Sequence, residues 1–166
     1  MDISLLGPND LTENDKVEIE KYIDAVITQH SISILYYSSF EREVLKYFVK
    51  NKQHAHKLHI YTFPEFNQLS PDIQQTISFL LKNGAVHKSF YTNQLVVKRS
   101  MFKDAWMYIL DESDAVVSFF CESKPQLMIP IDIAKKLDKK PFTFLLPRYN
   151  STLLQRSIKE KIRYVG

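Results

Sequence analysis

The feature that most constrains this chain is an alternation. Strand-like runs of four to seven residues are separated by longer stretches whose apolar residues recur at helical spacing. "ISLL", "SISILYY", "KLHIYTF", "DAVVSFF" and "PFTFLL" read as strands. Between the first two, Ile19, Tyr22, Ile23, Val26 and Ile27 share one helix face, and Thr12 caps that helix with Asp15 three residues on. Val44, Leu45, Phe48 and Val49 mark a second helix. "SPDIQQTISFLLKNG" is the clearest, with Ser70 as cap, Pro71 in the first turn and Asn83-Gly84 as the stop. "NQLVVKRSMFKDAWMYILDES" reads as one more helix, with Leu95, Phe102, Trp106, Ile109 and Leu110 along one side. Pro130 is expected in the first turn of "PIDIAKKLDKK", and "AVHKSFY" reads only as a short extended piece.

Strands and helices in strict alternation give a parallel sheet between helical layers, joined by right-handed crossovers. The near-continuous apolar character of "SISILYY" suits a sheet covered on both faces. The expected fold class is therefore α/β, a Rossmann-like three-layer sandwich. Its sheet is expected to have five mostly parallel strands in the order 3-2-1-4-5. In that order the chain reverses direction beside the first strand, and ligands bind beyond the carboxyl ends of strands at such a point. The loops around Gly7, Ser38 and Cys121 would converge there.

The 166 residues suit one domain. Residues 1–150 are read as that domain and 151–166 as a basic amphipathic tail, helical and packed on it. Leu153, Leu154, Ile158 and Ile162 would lie on the tail's apolar face, and Arg156, Lys159, Lys161 and Arg163 make it basic. Lys and Arg outnumber Asp and Glu by 22 to 19, and a net charge of +3 does not announce a basic nucleic-acid groove. The single cysteine, Cys121, leaves no internal disulfide. No apolar stretch nears the ~20 residues of a membrane span, and "MDISLLGPND" is unlike a signal peptide. A cytoplasmic protein without membrane contact is expected.

The candidate site residues follow from the loops. Ser38 and Ser39 end a strand next to a helix N-terminus, where hydroxyls and the helix dipole favour an anion; a polar turn with a helix cap is the simpler account. Glu41 in that first turn is placed to accept from ribose hydroxyls or to stabilise the helix. Lys98 and Arg99 offer cations at the start of the long helix, and arginine can grip an anion with two donors. Cys121, Glu122 and Ser123 follow the fourth strand. A reactive cysteine needs a base, and no histidine is visibly paired with this one. Glu41 and Glu122 are weak candidates for catalytic carboxylates across the crevice. His54, His56 and His59 straddle a helix exit and a strand start, so they read as a polar connection. No metal and no cofactor are expected. The aromatics in "YY" and "SFY" read as core, with interface residues as the alternative.

Three segments resemble the SLOG superfamily, the Rossmann-like group of DprA-type and LOG-type nucleotide-binding proteins. "SLLGPNDLTE" is similar to the family's first strand and Gly-Ser-Arg turn, with Gly7 at the glycine and Pro8 and Asn9 in place of serine and arginine. "ILYYSSFEREVLKYF" resembles the second strand and its glycine-rich loop, with Glu41 where the family has an acid and the glycines gone. "KDAWMYILDESDAVVSFFCESKPQL" matches a basic residue, Asp, Met and a later Asp at Lys103, Asp104, Met107 and Asp114. The glycine loop expected at "ESKPQL" is absent, as is the LOG-type Pro-Gly-Gly motif with its glutamate.

The resemblance implies binding of a nucleotide-derived small molecule without catalysis, as a sensor or sequestering module. The implied contacts are Gly7, Asn9, Ser38, Ser39, Glu41, Arg99, Lys103, Asp104, Glu122 and Ser123. Two alternatives stand beside it: a protein-interaction or structural module with no small ligand, and a nucleoside or nucleotide N-glycoside hydrolase. A homo-oligomer is an expected partner. DprA-type members bind single-stranded DNA, but the modest charge gives that no support, and nucleic acid is not an expected partner.

Overall fold

The computed structural model describes residues 1–91, 98–120 and 125–147. Six parallel strands form one sheet: β1 Asp2–Leu6, β2 Ser31–Leu35, β3 Leu58–Thr62, β4 Val86–Ser89, β5 Ala115–Phe120 and β6 Lys140–Leu145. Their order is β4-β3-β2-β1-β5-β6. The expected five-stranded sheet in the order 3-2-1-4-5 is thus corrected. The segment read as a short extended piece is itself a strand, and it hydrogen-bonds along the free edge of β3. Its residues are partly exposed, so it lacks the apolar run that marks a buried strand. The reversal of direction at β1, flanked by β2 and β5, is the one expected.

The helices are α1 Glu13–Val26, α2 Ser39–Lys50, α3 Pro71–Lys82, α4 Arg99–Asp111 and α5 Pro125–Lys136. Thr12 caps α1 as its sequence suggests: its Oγ1 accepts from the Asp15 N–H at 3.1 Å, and the Asp15 carboxylate accepts from the Thr12 N–H at 3.0 Å. Gly84 ends the turn after α3 at φ +103°, a left-handed conformation that glycine adopts without strain. Helix α5 begins earlier than expected. Pro125 stands at its start, and Pro130 lies inside it rather than in its first turn. Leu95, expected on α4, falls outside the described residues. So does the tail 151–166.

The first three helices pack on one face of the sheet and the last two on the other. Ile19 and Ile23 of α1, Phe40, Val44 and Phe48 of α2, and Ile73 and Ile77 of α3 meet Ile3, Leu5, Ile32, Ile34 and Ile60. Ala105, Trp106 and Ile109 of α4 with Leu127 and Ile131 of α5 meet Leu6, Leu35 and Val116 on the opposite face. Met107 of α4 is exposed, in contrast to Trp106 beside it. Phe119 is the hub of the first layer. Its ring lies 5.2 Å from Phe40, 5.0 Å from Phe144 and 5.3 Å from Tyr22. Phe119→Ala is expected to lower unfolding stability by about 3–5 kcal/mol in urea titration, because three rings close poorly on the void.

Candidate functional site

Among the described residues, two features lie toward the carboxyl ends of the strands. The first is the crevice beside β1, where the expected ligand would sit. It is nearly filled. Its cavity measures about 60 Å³ and is bounded by Gly7, Pro8, Tyr37, Glu41, Phe102 and Trp106 among others. That is well below the roughly 300–1,000 Å³ of pockets that hold drug-sized ligands.

Phe40 packs against the Gly7 turn from the α1-side core and does not line the crevice. A Cβ on Gly7 would lie 2.2 Å from the Phe40 Cδ2. Gly7 is therefore a glycine because a ring presses on its backbone. In a phosphate-binding turn the same absence of Cβ lets a ligand approach. Gly7→Ala is expected to cost about 1–3 kcal/mol through overpacking, measured by thermal or urea unfolding. Combined with Phe40→Leu, the cost is expected to be well below the sum of the two singles, because the smaller side chain makes room.

The N-terminus of α2 is closed by the chain's own groups. The Glu41 carboxylate accepts from the Ser38 N–H at 3.0 Å and from the Ser38 hydroxyl. The Asn9 side-chain carbonyl accepts from the Ser39 N–H at 3.1 Å, and the Asp10 N–H donates to the Ser39 Oγ at 3.2 Å. The donors that would face a phosphate thus bond to Asn9 and Glu41. The sequence reading named Gly7, Asn9, Ser38, Ser39 and Glu41 as ligand contacts; in the structure Gly7 packs on Phe40, Ser38 bonds to Glu41 and Ser39 to Asn9.

Glu41 is only 4 % exposed. Burial raises its pKa to about 7, against the opposing effect of its bonds to Ser38. A carboxyl with a folded pKa above its unfolded value binds its proton more tightly in the folded state. Folding stability is therefore expected to fall as pH rises from about 4.5 to about 7 and to level off above. In Glu41→Gln that dependence is expected to disappear from denaturation midpoints measured across the same pH range.

Lys98 and Arg99 sit at the start of α4 and are exposed, as are Lys103 and Asp104 further along it. None of the four lines the closed crevice. Cys121, Glu122 and Ser123 lie outside the described residues. His54 and His56 lie in a 3₁₀ turn, Lys52–Lys57, and His59 in β3.

The second feature is an open groove of about 710 Å³ at the edge strand β4. Tyr61, Phe66, Phe90, Tyr91 and Tyr108 line it, with Lys88, His87 and Glu65. The rings run as a connected series. Phe90 stacks on Tyr61 with planes 19° apart at 5.9 Å and meets Tyr108 edge-on at 5.7 Å. Phe63 joins Phe90 to Tyr37, and Tyr37 meets Phe102 of α4 at 5.6 Å.

Three of these rings are left open to solvent: Tyr91 is 72 % exposed, Tyr37 47 % and Tyr108 46 %. The reading of "YY" and "SFY" as core is corrected for Tyr37 and Tyr91. Tyr91 also has φ +55°, an uncommon conformation for a bulky residue. Its N–H donates to the Ser89 Oγ at 2.9 Å, which helps hold that turn. Burial lowers the pKa of His87, whose Nε2 lies 2.8 Å from the Thr62 Oγ1, so Lys88 is the cation of the groove. Sequence reasoning passed over Tyr61, Phe66, Lys88 and Tyr108. The available signal was the two-residue spacing of Tyr61 with Phe63 and of Lys88 with Phe90, which puts each pair on one sheet face.

No protein-family model matches the sequence, and no curated protein matches it. Solved structures do. DNA processing protein A from Helicobacter pylori superposes with a TM-score of 0.69 at 14% identity, over 95% of this chain and 73% of that one. DNA processing protein A (DprA) from Streptococcus pneumoniae gives 0.67 at 12% identity, over 86% of this chain and 49% of that one. The chain has the DprA-type Rossmann-like fold. It spans about half of the Streptococcus protein.

The Helicobacter structure is described by the single-stranded DNA binding mode of its protein. The expectation of a module for a nucleotide-derived small molecule is corrected on this finding, and the crevice of about 60 Å³ agrees with the correction. The statement that nucleic acid is not an expected partner is withdrawn with it. Among the described residues no helix is long and apolar enough to cross a membrane.

Proposed function

We propose that this chain binds single-stranded nucleic acid along the groove at β4, with bases stacked on its open aromatic rings. The observation that carries the reading is the connected series from Tyr37 to Tyr108, with Tyr91 projecting beside it and Lys88 within the groove. Every base has a face that can stack on an aromatic ring, so such a surface tolerates any sequence. The groove is open, as a strand passing through requires, whereas the crevice beside β1 is shut. Lys98, Arg99 and Lys103, all exposed on α4, are the candidates for phosphate contacts beyond the groove. The shared fold with single-strand-binding DNA processing protein A adds support of a general kind.

The reading gives Ser38, Ser39 and Glu41 no ligand role. A protein-interaction reading draws on the same edge, since β4 is the outermost strand among the described residues and Val86 is exposed there. Fluorescence anisotropy with labelled oligothymidylate, its RNA counterpart and a duplex of equal length separates the two. Saturable binding to single strands, weaker for duplex, is expected. Tyr91→Ala and Tyr108→Ala are each expected to cost about 1–3 kcal/mol of binding. Lys88→Ala is expected to flatten the slope of log K against log salt by about 0.7. Equal affinity for duplex, or tyrosine variants that bind as well as the parent, refutes the stacking surface.

A further inference from the structure

Helices α2 and α3 cover the same face of the sheet, and a groove of about 400 Å³ runs between them. Its floor is apolar. Leu45 and Ile73 are buried at its base, and Val49 lies open beside them at 39 % exposure. Its rim is basic. Arg42, Lys46 and Lys50 follow one another at four-residue spacing on α2, so they stand in one line, about 12 Å from first to last. All three are exposed. Across from them, among the described residues, Asp72 is the acid that lines the groove. Arg42 and Asp72 attract each other, so the surplus positive charge lies toward Lys46 and Lys50.

The contacts these cations make within the chain are slight. The Lys46 Nζ lies 4.0 Å from the Glu43 carboxylate, and the Lys50 Nζ lies 3.4 Å from that of Glu20. The Arg42 guanidinium meets the Tyr36 hydroxyl at 3.5 Å. Exposed pairs at such distances hold their side chains weakly and exchange readily for other partners. The groove shares no lining residue with the one at β4.

We infer that this groove docks an acidic amphipathic helix of a partner protein. A helix of that kind lays an apolar stripe between two supporting helices, through residues three or four apart. Leu45, Val49 and Ile73 form the matching floor. Its acids, also spaced by four, advance at the same rise per residue as the cations of α2, so two turns bring them opposite Arg42, Lys46 and Lys50. The apolar patch is small, and charge therefore does the selecting; opposite potentials steer the encounter and exclude basic partners. A single nucleic-acid strand suits this groove less well than the one at β4. Bases need rings to stack on, and among the described residues no aromatic side chain lines the groove between α2 and α3.

The test follows the backbone amides of the full chain by nuclear magnetic resonance. The probe is a synthetic amphipathic helix with a leucine stripe flanked by glutamates. Saturable shifts are expected in α2 and α3, centred on Lys46, Val49 and Ile73. The same peptide with lysines for glutamates is expected to bind at least about ten-fold more weakly. Lys46→Glu combined with Lys50→Glu is expected to weaken the acidic peptide by a similar factor; both side chains are exposed, so the circular dichroism spectrum should not change. Equal binding of the two peptides, shifts confined to other elements, or full affinity in the double variant overturns the inference. Oligothymidylate that moves the same amides and displaces the peptide would make nucleic acid the occupant and overturn it too.

Discussion

The contact between the Phe40 ring and the Gly7 backbone organises the carboxyl end of this sheet. It joins the turn after β1 to the first turn of α2, the two segments that flank the point of chain reversal. Phe40 in turn bears on Phe119 of β5, so the three strands around that point share one packed unit. The ring presses on the Gly7 backbone from the core side of the turn. The helix end beside it uses the chain's own side chains as caps, those of Asn9 and Glu41. The second loop carries serines instead of glycines, and Ser38 there takes part in a capping box with Glu41.

Much of the fold was legible in the sequence because burial on both faces writes itself as apolar runs. That held for β1, β2, β3 and β5, and for helices with caps such as α1 and α3. It failed where burial is incomplete. The β4 residues alternate between exposed and half-buried, so their composition does not announce a strand, and the sheet gained a strand that the pattern did not show. Helix α5 was placed late because Pro130 looked like a start signal, whereas Pro125 fills that role.

The site was less legible for a different reason. Sequence marks which residues can hold a ligand and not which of them bond within the chain. Gly7, Asn9, Ser38, Ser39 and Glu41 lie around one crevice, where Ser38 bonds to Glu41, Ser39 to Asn9, and Gly7 packs on Phe40. The groove at β4 shows the converse. Tyr61, Phe63 and Phe90 look like core and partly are; what makes a surface of them is that the sheet ends there, which leaves Tyr91 and Tyr108 uncovered. Topology, not residue type, turns the same aromatic composition from interior into platform.

That distinction bears on the proposed binding of nucleic acid by a chain whose net charge is only +3. Affinity built on phosphate neutralisation needs many cations and decays steeply with salt. Affinity built on stacking needs rings held open against burial, and the cost of holding them is met by the fold rather than by charge. Here the left-handed backbone at Tyr91 keeps a large apolar group in solvent, and Ser89 stabilises that turn. The exposed rings and the small crevice support the proposed reading, in which recognition lies at the edge of the sheet.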